Sequence, residues 1–255
     1  MKGERRGRID PRLRRGAFLL PSAFTIGNLF LGFYSIILAL GGRFAAAGVC
    51  ILVAGVADSL DGRIARLTGT ESEFGKEFDS LADLVTFGVA PALAAYLWGL
   101  SDLRRAGWLV PLFYLVATAT RLARFNVQTG RIDSRWFVGL PSPAAAGAVA
   151  AFLLVAPDAG WRPWLIGLVT GGLVGVGVLM VSTFRYWSFK NLDLRRPRSY
   201  RVALPIAALV LLFAFYPEAF LPVVATAYAL SGPVGWLAGR LFHRGGRSAA
   251  PEVPR

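Results

Sequence analysis

Residues 58–83 read DSLDGRIARLTGTESEFGKEFDSLAD, and this acidic stretch joins two long apolar runs at residues 44–66 and 79–99. Each run is close to the roughly 20 residues that a helix needs to cross a bilayer. The connection between the runs is short, so we expect two antiparallel neighbouring helices. The four aspartates of the stretch, from Asp58 to Asp83, therefore lie at a similar depth near one end of two adjacent membrane helices.

The rest of the chain has the composition of a membrane protein. Hydrophobic residues make up 55% of it, charged residues 17%, and the mean hydropathy is +0.53, whereas soluble domains carry about 25% charged residues. The apolar spans run through residues 18–40, 44–66, 79–99, 107–125, 142–157, 164–186, 202–216 and 220–241. We predict an all-α, polytopic membrane helical bundle of about eight transmembrane helices.

The charge distribution predicts the orientation. With the N-terminus inside, the outer loops hold only Arg43, Arg104, Arg105 and Arg162 of the 28 basic residues. The positive-inside rule then places both termini and the acidic stretch at the cytoplasmic side of the cell membrane. The predicted domains are a basic cytoplasmic arm at residues 1–15, a six-helix core at 16–190, a linker with two further helices at 191–242 and a cytoplasmic tail at 243–255.

Several classes of function are excluded by composition. The net charge of +13 is explained by loops that face anionic lipid, and base-stacking aromatics interleaved with Arg are absent outside the spans, so we expect no nucleic-acid partner. The one histidine, His243, and the one cysteine, Cys50, argue against histidine catalysis and zinc sites. Gly167, Gly171 and Gly175 allow close helix approach, either within the monomer or in a homodimer.

The spacing of the aspartates predicts a metal site. Asp58 and Asp61 are separated by three residues and Asp79 and Asp83 by four, so each pair projects from one helix face. An ionisable residue inside a membrane span costs at least a few kcal/mol and is a functional hypothesis by default. Carboxylate oxygens suit Mg²⁺, Mn²⁺ or Ca²⁺. Two Mg²⁺ or Mn²⁺ ions about 3.5–4 Å apart are a familiar arrangement for displacement at phosphorus.

The neighbouring residues predict a pocket for a metal-bound pyrophosphate. Gly62 and Ala65 share the face of the first aspartate pair and leave space for a ligand, and Gly75 does the same one turn before the second pair. Arg66 can neutralise a phosphate, and Ser72 offers a hydroxyl. The alternative is a purely structural set of ion pairs between the aspartates and the basic residues of the same stretch, which are Arg63, Arg66 and Lys76.

In order, the pattern is D-x₂-D-G-x₂-A-R-x₈-G-x₃-D-x₃-D, which resembles the signature of the CDP-alcohol phosphatidyltransferases at every defined position. The resemblance implies that the first three aspartates bind metal with the fourth nearby. It also implies that Gly62, Arg66 and Ser72 contact the CDP-linked lipid, and that Asp83 is the general base.

Within this family the chain most resembles the phosphatidylserine synthases. The matching segments are TIGNLFLGF at residues 25–33, RLARFN at 121–126, FVGLPSPAA at 137–145 and YWSFK at 186–190. The resemblance implies that Thr25 and Asn28 lie near the cytidine, although Asn28 could instead hydrogen-bond a neighbouring helix. Ser22 departs from the pattern, since asparagine is expected there.

The implied reaction moves the phosphatidyl group of CDP-diacylglycerol to the hydroxyl of L-serine, giving phosphatidylserine and CMP. Asp83 would take the proton, since a hydroxyl is a poor nucleophile until it is deprotonated. Serine is a zwitterion, so its site should offer both a cation and hydrogen-bond acceptors. The candidates at the inner ends of the fourth and sixth spans are Arg121, Arg124, Asn126 and Lys190, although both arginines could instead anchor the helices at the headgroups.

Two other functions remain open at this point. A sister enzyme would use inositol phosphate or glycerol phosphate as acceptor, with Arg121, Arg124 and Arg131 as its phosphate contacts. A cation transporter would use the aspartates as an ion site, although transporters often show internal repeats and none is evident here. The lipid backbone, diacyl or archaeal diether, is also open.

Overall fold

A computed structural model of the protein describes residues 11–68, 72–128, 136–158, 162–187 and 215–243. Within these ranges the chain forms a bundle of helices with one short antiparallel ribbon. The first helix already begins at Pro11, inside the predicted arm. The predicted boundary at residues 190 and 191 lies outside the described residues, so the domain limits stay predictions.

The helices are α1 (Pro11–Leu40), α2 (Phe44–Thr68), α3 (Glu73–Asp83), a π-helix (Leu84–Val89), α4 (Ala90–Trp98), a 3₁₀-helix (Leu100–Leu103), α5 (Arg105–Gln128), α6 (Ser142–Val155), α7 (Pro163–Val181) and α8 (Pro217–His243). The strands are β1 (Trp136–Val138) and β2 (Arg185–Trp187).

Among the described residues, five helical stretches are long and apolar enough to cross a membrane, namely Ala23–Leu40, Glu73–Trp98, Ala106–Val127, Pro163–Val181 and Ala219–Ala238. Two shorter apolar stretches, Phe44–Leu60 and Ser142–Val155, belong to α2 and α6. These helices confirm the predicted all-α, polytopic membrane class. The predicted span at residues 202–216 lies almost entirely outside the described residues, so the count of eight stays a prediction.

The outward faces of the helices are apolar. Phe30 of α1, Trp164 of α7 and Val223 of α8 are each more than 60% exposed. Helices that are apolar on every side are typical of membrane spans or of the core of large proteins. Since these apolar side chains are on the surface, we infer that the surface faces membrane lipid.

The buried core is built largely from small side chains. Ala47 and Ala54 of α2, Ala94 of α4 and Ala150 of α6 have no exposed surface, and small residues let helix backbones approach closely. A Cβ atom at Gly48 would lie 2.9 Å from the carbonyl oxygen of Ala150, which is too close for any other residue. Helix α2 therefore packs directly on α6 at Gly48.

The third membrane span begins earlier in the sequence than predicted. α3, the π-helix and α4 follow one another without a break from Glu73 to Trp98, whereas the predicted span began at residue 79. The helix begins with an amphipathic turn that precedes the apolar run. Hydropathy alone therefore placed the start of the helix too late. Asp79 and Asp83 consequently lie well inside a helix, where their backbone is fixed.

The ribbon of β1 and β2 was not predicted. Phe137 pairs with Tyr186 in antiparallel register, although residue 186 had been placed at the end of a helical span. The following turn needs glycine: Gly139 has φ +81°, and its amide donates to the carbonyl of Phe184 at 2.8 Å. The strand pairing supplies hydrogen bonds to the backbone N–H and C=O groups of residues that lie outside the helices at this end of the bundle.

The three spaced glycines of α7 predicted to allow close helix packing do not meet another helix in the described part of the chain. A Cβ atom added at Gly167, Gly171 or Gly175 would have no described atom within 4 Å beyond its own helix. The expected packing of this stripe within the monomer is therefore not found among the described residues. The homodimer contact stays a prediction.

Candidate active site

Two helices bring three of the predicted aspartates together. Asp58 comes from α2, and Asp79 and Asp83 come from α3; one carboxylate oxygen of each lies within 4.8 Å of the others. All three side chains are half-buried. Asp61 lies on the same helix as Asp58, but its side chain is outside the described residues.

The helix that carries two of these aspartates is fixed at its start by a cap. Ser72 has an extended backbone, and its side chain accepts a hydrogen bond from the amide of Gly75 at 3.0 Å. Such a cap satisfies an amide that the helix itself leaves unpaired. Ser72 and Gly75, both predicted to contact the CDP-lipid, therefore begin α3. Their contact with lipid stays a prediction.

Asp83 is held by the first helix. The side-chain amide of Asn28 donates to Oδ1 of Asp83 at 3.1 Å, across 55 residues of sequence. Asn28 is only 1% exposed and Thr25, one turn earlier, is 5% exposed. Both residues had been placed near the cytidine by resemblance, and that contact stays a prediction. Asn28 does bond a neighbouring helix, as the alternative expected.

Arg121 of α5 is buried next to the aspartates. It interacts electrostatically with Asp83 and Asp58, and it is 8% exposed. Its Nη1 donates to the hydroxyl of Ser142 at 2.6 Å, and its guanidinium lies 5.9 Å from the ring centroid of Phe125. These contacts favour a place in the site over a headgroup anchor, which would extend its charge to water, and the role of Arg121 stays a prediction.

Arg124, one turn further along α5, has different partners. Its two terminal nitrogens donate to the backbone carbonyls of Val138, Met180, Val181 and Ser182, at 2.9 to 3.3 Å. The guanidinium thus ties the end of β1 to the end of α7. These contacts favour a structural role over binding of the acceptor, which for Arg124 stays an untested prediction.

The other two acceptor candidates differ in how far they are described. Asn126 exchanges hydrogen bonds with Ser80, at 2.9 and 3.2 Å, which joins the end of α5 to the turn between Asp79 and Asp83. Lys190 lies outside the described residues. Gly62, Ala65 and Arg66 lie in α2, but their surroundings are likewise outside the described residues.

An apolar groove runs along α2 and α6 from the acidic end. Its volume is about 470 Å³, and its walls include Ile51, Leu52 and Gly55 of α2 and Ala144 and Gly147 of α6. Ser59, next to Asp58 in the chain, lines one part of it. The groove therefore reaches the residue that follows Asp58 in α2, and it offers an apolar surface of the kind that hydrocarbon chains occupy.

The donor set suits a hard divalent cation. Three carboxylates within 4.8 Å of one another repel each other strongly in a half-buried place, and a cation relieves that repulsion. Aspartate oxygens are the ligands that Mg²⁺ and Mn²⁺ prefer. The arrangement can hold a cation against an anionic phosphate and also keep a carboxylate ready to accept a proton.

The last helix also reaches this region, which sequence reasoning missed. Tyr186 of β2 donates to the carbonyl of Ala229 at 2.9 Å, and burial raises the pKa of Tyr186 to about 12, so the phenol stays protonated. Its ring lies 5.6 Å from that of Tyr228, which in turn interacts electrostatically with Arg121. No local sequence pattern indicates a role for Tyr228.

The hydroxyl of Ser142 was also not predicted to belong to the site, although its position between two prolines at a helix start could have indicated it.

Comparison with known proteins agrees with this geometry. A family model described as CDP-alcohol phosphatidyltransferase matches residues 18–182. A CDP-diacylglycerol–serine O-phosphatidyltransferase of Helicobacter pylori is 39% identical over 226 residues, covering 86% of this chain and 92% of the relative. One of Mycobacterium tuberculosis is 39% identical over 180 residues, covering 68% and 63%.

An archaetidylserine synthase of Methanothermobacter thermautotrophicus is 38% identical over 169 residues, covering 66% of this chain and 69% of the relative. The range matched by the family model contains most of α1 and all of α2 to α7. It therefore includes every described residue of the acidic cluster.

Proposed function

Because the chain belongs to the CDP-alcohol phosphatidyltransferase family, we propose that it transfers the phosphatidyl group of CDP-diacylglycerol to the hydroxyl of L-serine, forming phosphatidylserine and CMP. The observation that carries this proposal is the convergence of Asp58, Asp79 and Asp83 inside the matched range. Serine as the acceptor is supported by the names of the relatives.

The acidic cluster is where divalent cations would bind. Asp58 and Asp79, together with Asp61, would hold two Mg²⁺ or Mn²⁺ ions, with Asp83 beside them. Bound there, the metal would orient the pyrophosphate and offset the charge that develops on the departing CMP.

Asp83 supplies the proton chemistry. It accepts the proton of the serine hydroxyl while the bond from serine Oγ to the β-phosphorus forms and the bond from that phosphorus to the oxygen of CMP breaks. The hydrogen bond from Asn28 orients one carboxylate oxygen, which leaves the other to face the substrate. The cap at Ser72 and the hydrogen bond from Asn28 to Asp83 hold the two ends of α3, which supports this role for Asp83.

The acceptor's carboxylate would bind Arg121. Arginine binds a carboxylate through two parallel hydrogen bonds, and Arg121 is buried within electrostatic range of Asp83. Since Ser142 accepts from only one guanidinium nitrogen, other N–H groups of Arg121 remain to reach serine. Asn126 supports the site by bonding Ser80, between the two aspartates of α3.

The lipid part of the substrate fits the groove between α2 and α6. Its 470 Å³ would take one hydrocarbon chain, with the glycerol and pyrophosphate at the end beside Asp58. The headgroup chemistry then takes place where serine and CMP exchange with water. The basic residues concentrated at the same end support a cytoplasmic position for the site and both termini.

The test is CMP release by the purified protein with CDP-diacylglycerol and a panel of alcohols. We expect release with L-serine and little with inositol phosphate or glycerol phosphate. Asp83→Asn should lower CMP release by about 10²–10⁴-fold, whereas Asp102→Asn, which changes an exposed carboxylate in the 3₁₀-helix, should not. Consumption of a phosphorylated alcohol in place of serine would overturn the acceptor, and no CMP release with any alcohol would overturn the reaction.

A further inference from the structure

We propose that Asn28 is a positioning residue for Asp83, and that its buried side-chain oxygen accepts a hydrogen bond from the amino group of the incoming serine. The inference rests on the proposed serine transfer. It gives α1 a part in proton transfer, in addition to any contact with the nucleotide.

Asn28 is fixed on both its backbone and its side chain. Thr86 donates from its hydroxyl to the backbone carbonyl of Asn28 at 3.1 Å, and Nδ2 of Asn28 donates to Asp83 at 3.1 Å. Thr86 comes this near because Gly32 has no side chain: a Cβ atom at Gly32 would overlap with Thr86. α1 therefore holds α3 and the π-helix at two points that straddle the end of α3.

The backbone directly after Asp83 is also unusual. Residues Leu84–Val89 form a π-helix, a wide turn that is found often at functional sites. The hydroxyl of Tyr114 on α5 donates to the carbonyl of Phe87 within it at 2.9 Å. Asp83 thus lies at the junction of two helix types, where α1 bonds Asp83 and Thr86 and α5 bonds the π-helix at Phe87.

The oxygen of the Asn28 side chain points to a missing donor. Oδ1 is buried and accepts no hydrogen bond from the described residues, although buried polar groups are nearly always paired. The other half of the same amide is bonded to Asp83, so Oδ1 lies a short distance from that carboxylate. We infer that a hydrogen-bond donor of the substrate pairs with this oxygen.

Serine carries two proton-bearing groups separated by only three bonds, its hydroxyl and its ammonium. When the hydroxyl faces Asp83, the ammonium can reach the oxygen of Asn28. An ammonium is a strong donor to a carbonyl oxygen. One asparagine would then align the base and the nucleophile at the same time, which is the positioning that accelerates a reaction between two bound groups.

A plain packing role predicts something different, and α1 offers a matched control. Ser35 is fully buried on the same helix and donates only to the carbonyl of Gly32 in its own helix, at 2.9 Å. If Asn28 had only a structural role, Asn28→Ala could lower the unfolding temperature, but like Ser35→Ala it should not selectively change the serine kinetics.

The experiment measures kcat and the KM of each substrate for wild type, Asn28→Ala and Ser35→Ala, with thermal unfolding as a check on folding. We expect Asn28→Ala to lower kcat by about tenfold to a hundredfold and to raise the KM for serine. The KM for CDP-diacylglycerol should stay within about twofold of wild type, and Ser35→Ala should keep wild-type kinetics. Asn28→Ser is the second variant if the alanine protein does not fold.

Coupling between the two residues is the second measurement. In an Asp83→Asn background, Asn28→Ala should reduce the residual CMP release by less than about threefold, since a base that is absent needs no positioning. Independent, multiplicative losses would overturn the proposal. So would a raised KM for CDP-diacylglycerol with unchanged serine kinetics, which would assign Asn28 to the nucleotide alone. A wild-type protein that releases no CMP with serine would instead contradict the proposed function.

Discussion

Arg121 of α5 donates a 2.6 Å hydrogen bond from Nη1 to the hydroxyl of Ser142, the first residue of α6. This contact links the helix that carries the buried cation to the helix that forms one wall of the apolar groove. Because Arg121 also lies within electrostatic range of Asp83, it is next to the acidic cluster at which the acceptor is proposed to bind.

Arg121→Lys should raise the KM for serine by about ten- to a hundredfold, because lysine cannot reproduce two parallel hydrogen bonds to a carboxylate. The KM for CDP-diacylglycerol should change little. Steady-state kinetics with each substrate varied in turn measures both. Arg43→Lys, at an exposed turn between α1 and α2, is the control, and unchanged serine kinetics in Arg121→Lys would move the acceptor site elsewhere.

Arg124→Lys should behave as a stability variant. The four carbonyl contacts of its guanidinium hold β1 to α7, and lysine can keep only some of them. We expect a lower unfolding temperature and a fall in kcat with no selective change in the KM for serine. A selective rise in that KM, with normal stability, would restore Arg124 as the acceptor contact.

Asp83→Asn should lower kcat by about 10²–10⁴-fold, as expected when a general base is removed. Binding of CDP-diacylglycerol, measured by equilibrium titration, should be largely kept, because asparagine preserves the shape of the side chain. Turnover within a few-fold of wild type would assign the proton to another group.

Asp58→Asn should weaken the response to divalent metal. Removing one of three close carboxylates takes away a ligand, so activity should need more Mg²⁺ or Mn²⁺ and recover only in part at saturation. Titration of activity with each metal after chelation measures this. Full activity of the wild-type protein after exhaustive chelation would contradict metal dependence itself.

Gly147→Leu should narrow the groove between α2 and α6. The position of a Cβ at Gly147 is 3.9 Å from Leu52, so a larger side chain would point into the space proposed for the hydrocarbon chain. Displacing about two methylene groups should raise the KM for long-chain CDP-diacylglycerol roughly tenfold and leave a short-chain analogue unaffected. Gly171→Leu on α7 is the control, and equal effects on both chain lengths would place the lipid elsewhere.

The acidic cluster could be predicted because helical spacing is local. Asp58, Asp79 and Asp83 fall on helix faces that a period of 3.6 residues identifies, and the membrane class followed from span length. The roles of Ser142 and Arg124 could not be predicted in this way. Their partners lie 14 to 58 residues away, and no local pattern records such contacts.

The ribbon of β1 and β2 shows the same limit. Each strand has three residues, too few for an alternating pattern to stand out. Their pairing depends on the turn at Gly139 and on Arg124, which is distant in sequence. The closeness of Tyr228 to Arg121 likewise depends on how α8 packs on β2, which its own sequence does not encode.

The most direct test of phosphatidyl transfer to serine uses L-serine labelled with ¹⁸O in its hydroxyl group. Purified protein with CDP-diacylglycerol should form phosphatidylserine that retains the label in its phosphodiester, with unlabelled CMP as the other product. Asp83→Asn should form both products about 10²–10⁴-fold more slowly. Phosphatidylserine without the label, or labelled CMP, would contradict attack by the serine oxygen on phosphorus, and the absence of phosphatidylserine would contradict the proposed function.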